Sequence, residues 1–487
     1  MYKNLFIAIL LILPFLTNAQ SAPVFVKHIE KATWGISGTC KFDEHLNILQ
    51  FDTGTNEFGL IAVNNKAEIV WRSTFNRAYM GFGKFKDNVL IITSPHNGFG
   101  GYQMPITGHI IDVKTGKILL EKSLFNIQTS NKIIVKPFFS ESGSFFKLSV
   151  REAQSKKGFN PFSSASKYGK TKNLTIIDFN EKLEPVNQFN PKIDENAFIS
   201  LATNNDGDLF IAAATNGYSV SFVKYIKGKQ EPSLPINVEF DIRDKKDSDE
   251  PEKIIDNLKL AASGNSLYSC LIEKNEAKEY QLTVNKIDFE KMSKLQTTEV
   301  FTKERLAEII KASPGVTDKY DVWVGKPKLL TVDYLQAFEN NVIIVYSDRE
   351  SVTTYDGHRN SYYVNAGSLV INCYDPYLKP KFLNIMPINY SAGGWFTPSY
   401  YYHSNTLSIV ATNRAHTGGK FSGLIPMYGN LDLSDGKWKR LEYFDKSDLP
   451  SGSFNDHAMW YGDGFISLIT DYNTFGKTNI SFYKSAY

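Results

Sequence analysis

Polar and apolar residues follow one another along this chain in a phrase that returns eight times. Each copy opens on Asn, Asp, Gly or Ser, runs through about six residues rich in Ile, Val, Leu, Phe and Tyr, and closes on polar or charged side chains. The copies are DEHLNILQFDT (43–53), KDNVLIITSP (86–95), SGSFFKLSVRE (142–152), NDGDLFIAAATN (205–216), SGNSLYSCLIEK (263–274), ENNVIIVYSDRE (339–350), HSNTLSIVATNR (403–414) and YGDGFISLITDY (461–472). Opening residues of this kind tolerate the positive φ of a tight hairpin, and the run behind them has the length and branching of a strand.

A second phrase follows at a variable distance, as in GLIAVNNKAEIVW (59–71), GHIIDVKTGKILL (108–120), LTIIDFNEKLEPV (174–186) and GNLDLSDGKWKRL (429–441). It reads strand, polar turn, strand. The two phrases together supply four strands per unit, and equivalent positions recur on average about every 60 residues. That spacing is too long for a solenoid coil and near the roughly 40–50 residues of a propeller blade with room for longer loops. The pattern therefore predicts an all-β chain folded as a single β-propeller of four-stranded blades, eight by this count, with seven as the alternative. The last unit offers only three strands, while PVFVKHIE (23–30) has no unit of its own. This N-terminal strand is expected to complete the last blade and close the ring, covering an edge that would otherwise expose unpaired backbone groups. One helix interrupts the pattern, near 303–312, where Leu306, Ile309 and Ile310 share a face and Pro314-Gly315 ends it.

The first nineteen residues stand apart. Lys3 precedes an apolar run from Leu5 to Leu16, and small residues at Thr17-Asn18-Ala19 suit cleavage after Ala19. The domain organisation expected is a signal peptide over 1–19 and a propeller over 20–487, in a secreted or periplasmic protein with no membrane span. With 54 Lys plus Arg against 51 Asp plus Glu, the chain has no field strong enough to gather nucleic acid. Cys40, Cys270 and Cys373 are too few for a disulfide framework, and whether Cys270 and Cys373 pair stays open.

The segments IIDVKTGKILLEK (110–122) and IAVNNKAEIVWRS (61–73) resemble the outer half of the blades in bacterial quinoprotein-type β-propellers, where strand, Asp-x-x-Thr-Gly and strand recur. The resemblance implies the fold. That family's quinone-dependent dehydrogenases carry a vicinal cysteine pair, whereas these three cysteines are scattered, so no cofactor is expected.

Local catalytic signatures are missing. GKT at 169–171 and 476–478 lacks the leading glycine of a phosphate loop, since Ser164 and Asp471 stand there, and no G-x-S-x-G, H-E-x-x-H or paired C-x-x-C occurs. NNDGDLF (204–210) has oxygen ligands at calcium-like spacing without the downstream acid, and reads as a turn. The charged stretch DIRDKKDSDEPEK (241–253) reads as a solvated loop. No metal site is expected.

In a propeller, the loops joining second to third strands share a face with the blade-to-blade connections. The long ones here are 94–108, 151–172, 347–367 and 412–429. Units six and seven are neighbours, which would bring Arg349, Asp356, His358, Arg359, Tyr362 and Tyr363 near Arg414 and His416. Guanidinium forks and tyrosines suit a polar or anionic ligand, a glycan or a protein. Second strands also end in Asp52, Arg151, Glu273, Asp348, Asn413 and Asp471, polar groups around the channel mouth. The function expected is that of a monomeric binding or interaction module using its loop-rich face. The alternative is a hydrolase or lyase acting on a carbohydrate or lactone with residues from several blades. Expressed with its own leader, the exported protein should begin at or beside Gln20, as N-terminal sequencing or intact mass would read; a chain starting at Met1 in that fraction overturns the leader assignment.

Overall fold

The computed structural model of this chain describes residues 24–32, 35–54, 57–95, 104–127, 132–153, 170–195, 197–241, 251–311, 329–338, 340–355, 360–392, 397–417, 420–443, 453–472 and 478–486. Their strands form eight antiparallel sheets, each built from one copy of the repeating unit. Blade one runs Gly35–Lys41, Leu46–Gly54, Glu57–Asn64 and Ile69–Phe75, hydrogen-bonded in that order. The first strands of the other blades are Ala78–Phe85, Lys132–Phe139, Phe198–Thr203, Lys259–Ser263, Leu330–Ala337, Ser399–His403 and Ser453–Trp460. First strands of neighbouring blades touch one another, blade eight against blade one included, so they form the inner ring of an eight-bladed propeller.

The hydrophobic core explains why the second strand of every unit is apolar almost without a break. Eight buried clusters are present, and each lies across one of the eight blade interfaces. Successive residues of a strand point to opposite faces of the sheet. Leu49 and Phe51 accordingly face blade eight, while Ile48 faces blade two. In blade six, Val342, Ile344 and Tyr346 face blade five, and Ile343 and Val345 face blade seven. A strand buried on both faces reads as a continuous hydrophobic run. Eight interfaces, each with its own cluster, also decide between seven and eight blades.

Blade eight is completed as the sequence predicts. Val24–Ala32 pairs antiparallel with Thr478–Ala486, through Val24 with Lys484, Phe25 with Tyr483 and onward to Ala32 with Thr478. The interface between blades eight and one buries ten hydrophobic residues, among them Leu49, Ile61, Met459 and Leu468. At roughly 1.5–3 kcal/mol for each large side chain, its packing outweighs the ladder, which contributes about 1 kcal/mol net per bond. The added strand thus protects an edge more than it holds the ring together.

Outer strands clasp the next blade. Trp71 lies over the turn of blade two, where its Nε1 donates to Val113 O at 2.6 Å and Ser73 Oγ donates to Gly116 O at 2.7 Å. Gly116 has φ +71°, and a Cβ there would sit 2.7 Å from the indole. Asp112 Oδ1 shapes the same turn by accepting from the Lys114 and Thr115 amides. The clasp recurs between blades six and seven, where Phe382 lies against Gly436 and Asn384 Nδ2 donates to Gly436 O at 2.6 Å. The Asp-x-x-Thr-Gly phrase is therefore a docking turn.

Among the described residues two helices sit in blade connections. Lys303–Lys311 buries Leu306 and Ile309 against blades five and six. The second, Pro251–Asn257, corrects the reading of 241–253 as a loop throughout. Pro251 opens that helix, where its fixed φ suits the first turn, and Ile254 and Ile255 enter the core between blades four and five. Among the described residues no helix is long and apolar enough to cross a membrane.

The three cysteines are free thiols. Cys270 packs into the interface of blades five and six, whereas Cys373 Sγ contacts Asn341, whose amide reaches Asn405 of blade seven. The sheet of blade six separates the two thiols. Removing residues 20–32 should leave the ring folded but lower its thermal midpoint by a few degrees and promote self-association through the bared 478–486 edge. Adding the 20–32 peptide should reverse both effects, as calorimetry and light scattering would show; an unchanged midpoint would refute the closing role.

Candidate functional site

Strand polarity gives the propeller two distinct ends. One carries the second-to-third loops and the blade connections, and the other carries the tight turns between first and second strands.

At the first end, two expected loops prove to be regular structure. The second strand of blade six continues to Tyr355 and pairs with Asn360–Ala366, which in turn pairs with Tyr390–Ala392. In blade seven, Thr406–Thr417 and Lys420–Asp432 pair to within a few residues of the tip. Alternation of polar and apolar residues extends each ladder outward as a β-ribbon. Tyr362, Tyr363, Arg414 and His416 lie on these ribbons, with side chains outside the described set. Asp356, His358 and Arg359 lie outside the described residues altogether.

Arg349 is described, and it is turned inward. It forms an ion pair with Asp333, whose side chain is wholly shielded, and Ser347 Oγ donates to Asp333 Oδ2 at 2.6 Å. The ladder between the first two strands of blade six breaks register between Val332 and Tyr334, leaving Asp333 as the bulged residue. A bulge re-aims a side chain, and here it delivers a carboxylate to the arginine. Burial draws the Arg349 guanidinium down to about 10, so it stays cationic at neutral pH. Register breaks of the same kind occur in the first strands of blades one, two and eight.

Arg349 also borders a cavity of about 240 Å³ between blades five and six, together with Asp256, Asn257, Lys259, Glu273 and Tyr280. Asn257 Nδ2 donates to Glu273 Oε1 at 2.7 Å, yet burial raises the Glu273 carboxyl above its ordinary value. Other polar strand ends tie down blade connections. Asp348 Oδ1 accepts from the Leu329 amide at 2.8 Å, Arg151 Nη1 donates to Ile199 O at 3.4 Å, and Asn413 binds both Asn389 N and Pro387 O.

The larger opening lies at the opposite end, where no long loop in the sequence marks it. It measures about 870 Å³ and is lined from blades one, two, three, six, seven and eight. Aromatic rings dominate its wall. Tyr334 stacks on Tyr400 with centroids 4.4 Å apart, Phe338 on Tyr402 at 3.7 Å, and Tyr401 on Trp460 at 5.4 Å. Phe42, Phe82 and Phe139 complete the ring from blades one to three. Trp460 Nε1 donates to Ser399 Oγ at 3.0 Å, which fixes the indole.

The cations of this mouth are engaged. Lys41 Nζ donates to Glu44 Oε1 at 2.7 Å and to the Tyr401 hydroxyl, and it lies 4.4 Å from the Tyr401 ring centroid. Lys84 Nζ donates to Phe42 O at 3.1 Å and sits over the Phe42 ring. Cys40 lines the mouth as well, and burial pushes its thiol up to about 11, so it is no ready nucleophile. Among the described residues no group of three or more His, Cys, Asp or Glu is placed to hold a metal ion. Asn204 and Asp208 of the calcium-like segment are spent internally, since Asn204 Oδ1 accepts from the Asp206 and Asp208 amides and Asp208 pairs with Lys224.

No protein-family model matches the chain, and no curated protein matches it. Among solved structures it is similar to the WD40 domain of SCAP from fission yeast, at 9% identity and a TM-score of 0.42, covering 95% of this chain and 98% of that one. It is also similar to BamB from Moraxella catarrhalis, at 11% identity and a TM-score of 0.35, covering 80% and 96%. A third is the β-propeller domain of the Trilobed protease from Pyrococcus furiosus, at 12% identity and a TM-score of 0.39, covering 86% and 98%.

The raised Glu273 carboxyl carries a sign that can be checked. A group whose folded-state pKa lies above its unfolded value contributes stability below the unfolded value, near 4.5, and that stability is lost as pH rises through the folded value. Glu273→Gln keeps the oxygen that Asn257 reaches. It should therefore raise the thermal midpoint at pH 7.5 by roughly 1–2 °C, the scale of a fraction of a kcal/mol in a large domain. The gain should vanish near pH 4; an equal gain at both pH values would contradict the assigned cause.

Proposed function

We propose that the protein is an exported binding module whose ligand enters the aromatic mouth at the tight-turn end of the propeller. The observation that carries this reading is the mouth itself, where rings from six blades, partly exposed in all but the buried Trp460 of blade eight, surround a space of about 870 Å³. Aromatic side chains bury large areas with few rotatable bonds, which suits them to a surface that gains its stabilisation when covered. Large concave sites lined by rings with a few polar groups are the usual form of ligand pockets. The ribbons of blades six and seven remain a second contact surface, and the residues first singled out there, Tyr362, Tyr363, Arg414 and His416, belong to that part of the proposal.

Catalysis is the competing reading. It draws on Asp256 and Glu273, two carboxyl groups facing one cavity, of which burial raises Glu273 above its ordinary value.

Trp460 stacks on Tyr401 and so places a fluorophore in the wall of the mouth. In a titration of the mature protein with a mixed panel of oligosaccharides and peptides, a binder should change tryptophan emission. The change should disappear in Trp460→Phe, and the affinity should fall at least tenfold in Phe42→Ala/Tyr401→Ala with the fold intact by circular dichroism. Binding that survives in that double variant but is lost when ribbon 347–367 is shortened would move the site to the other face. Turnover of a chromogenic glycoside that Glu273→Gln abolishes would replace the binding reading altogether.

A further inference from the structure

We infer that the ligand of this mouth is an uncharged carbohydrate, held by a chain end or as a short oligosaccharide; the inference rests on the binding reading above and names its ligand class. Three observations converge on it.

The first is charge. The acids lining the mouth are Asp43, Glu44 and Glu141, and the bases are Lys41 and Lys84, which leaves one negative charge in excess. Both lysines already have partners in the wall, Lys41 in Glu44 and Tyr401, and Lys84 in the Phe42 carbonyl. A sulfated or uronate-rich chain would meet no available cation and a net negative rim. An anionic ligand is disfavoured, because it would have to compete with Glu44 for Lys41 and with the Phe42 carbonyl for Lys84.

The second is the pairing of aromatic faces with planar polar groups. Glu141, from blade three, and Gln336, from blade six, form no hydrogen bond or ion pair among the described residues, and both line the mouth. Glu141 is close enough to Tyr334 to add to the burial that keeps that phenol protonated, so the two blades face one space. A carboxylate offers two acceptor oxygens, and an amide offers an acceptor and two donors. A sugar ring presents hydroxyl donors and acceptors along its edge and C–H groups on its faces. The edge matches Glu141 and Gln336, and the faces match the rings.

The third is shape. The mouth is the opening of the central channel, bounded on its sides by six blades, rather than a groove running across a surface. The Tyr334–Tyr400 stack lines the interior, with the Tyr400 hydroxyl shielded from solvent. A cup of this kind accepts the terminus of a chain and excludes its continuous middle.

The test uses the full mature chain, with tryptophan emission as the readout and neutral oligosaccharides of glucose, galactose, mannose and N-acetylglucosamine, two to six units long, as probes. At least one of these should bind with an emission change that Trp460→Phe removes. Glu141→Ala and Gln336→Ala should each weaken it about tenfold, the scale of one hydrogen bond to a sugar hydroxyl, while the thermal midpoint of the free protein stays unchanged. A merely structural role for these two residues would move the midpoint and leave the affinity of a folded variant alone. Response only to sulfated or uronate oligosaccharides, or only to lysine-rich peptides, overturns the carbohydrate assignment and leaves the mouth as the binding surface. Silence of Trp460 toward every class overturns both.

Discussion

Every blade of this protein is apolar on both faces, and no blade can shield itself. Ile48 and Leu49 are adjacent in sequence and fully buried, yet they belong to the interfaces with blade two and blade eight. The same division holds at Ile343 and Ile344 of blade six. A linear stack of such sheets would always leave two greasy faces in water, and only a ring removes both. Closure is therefore a demand of the hydrophobic effect before it is a matter of hydrogen bonding. Ten buried residues between blades eight and one meet that demand, and the strand Val24–Ala32 finishes the edge.

Most of the polar detail serves the same end. Asp348, Arg151 and Asn413 fasten the connections that carry the chain from blade to blade. Trp71 over Gly116 and Phe382 over Gly436 lock outer strands to neighbouring turns. These uses explain the likeness of 110–122 to quinoprotein blades without any cofactor: Asp112, Thr115 and Gly116 shape a turn that an aromatic ring can cover. Arg349, chosen from the sequence as a ligand contact, is instead held by Asp333 at a bulge in the innermost strand. What remains unspent is concentrated at the tight-turn end, where stacked rings border the opening and the Glu141 and Gln336 side chains form no hydrogen bond or ion pair among the described residues.

Long loops are where a sequence points for a site, because irregular, polar segments usually carry function. Two of those loops are β-ribbons, and the largest described opening lies on the face whose turns are shortest. No local motif marks that opening. Its lining residues are drawn from positions as far apart as Lys41 and Trp460, two to seven from each of six blades. Along the chain its aromatic residues are ordinary side chains at or near strand ends, and they become a wall only when six strand ends are brought to one axis.

The sequence by itself determined the class of fold, the four-stranded unit and the segment that closes the ring, and it narrowed the blade count to seven or eight. These depend on period-two patterning and turn chemistry, which act over a few residues and repeat, so the signal accumulates with each copy. Tertiary structure alone decided which side chains meet. It turned Arg349 inward, set Cys270 and Cys373 on opposite sides of one sheet, made Pro251 the start of a helix, and gathered the aromatic mouth. Those outcomes depend on register, bulges and the angle between blades, and each arises from contacts between residues tens to hundreds of positions apart, which no local pattern encodes.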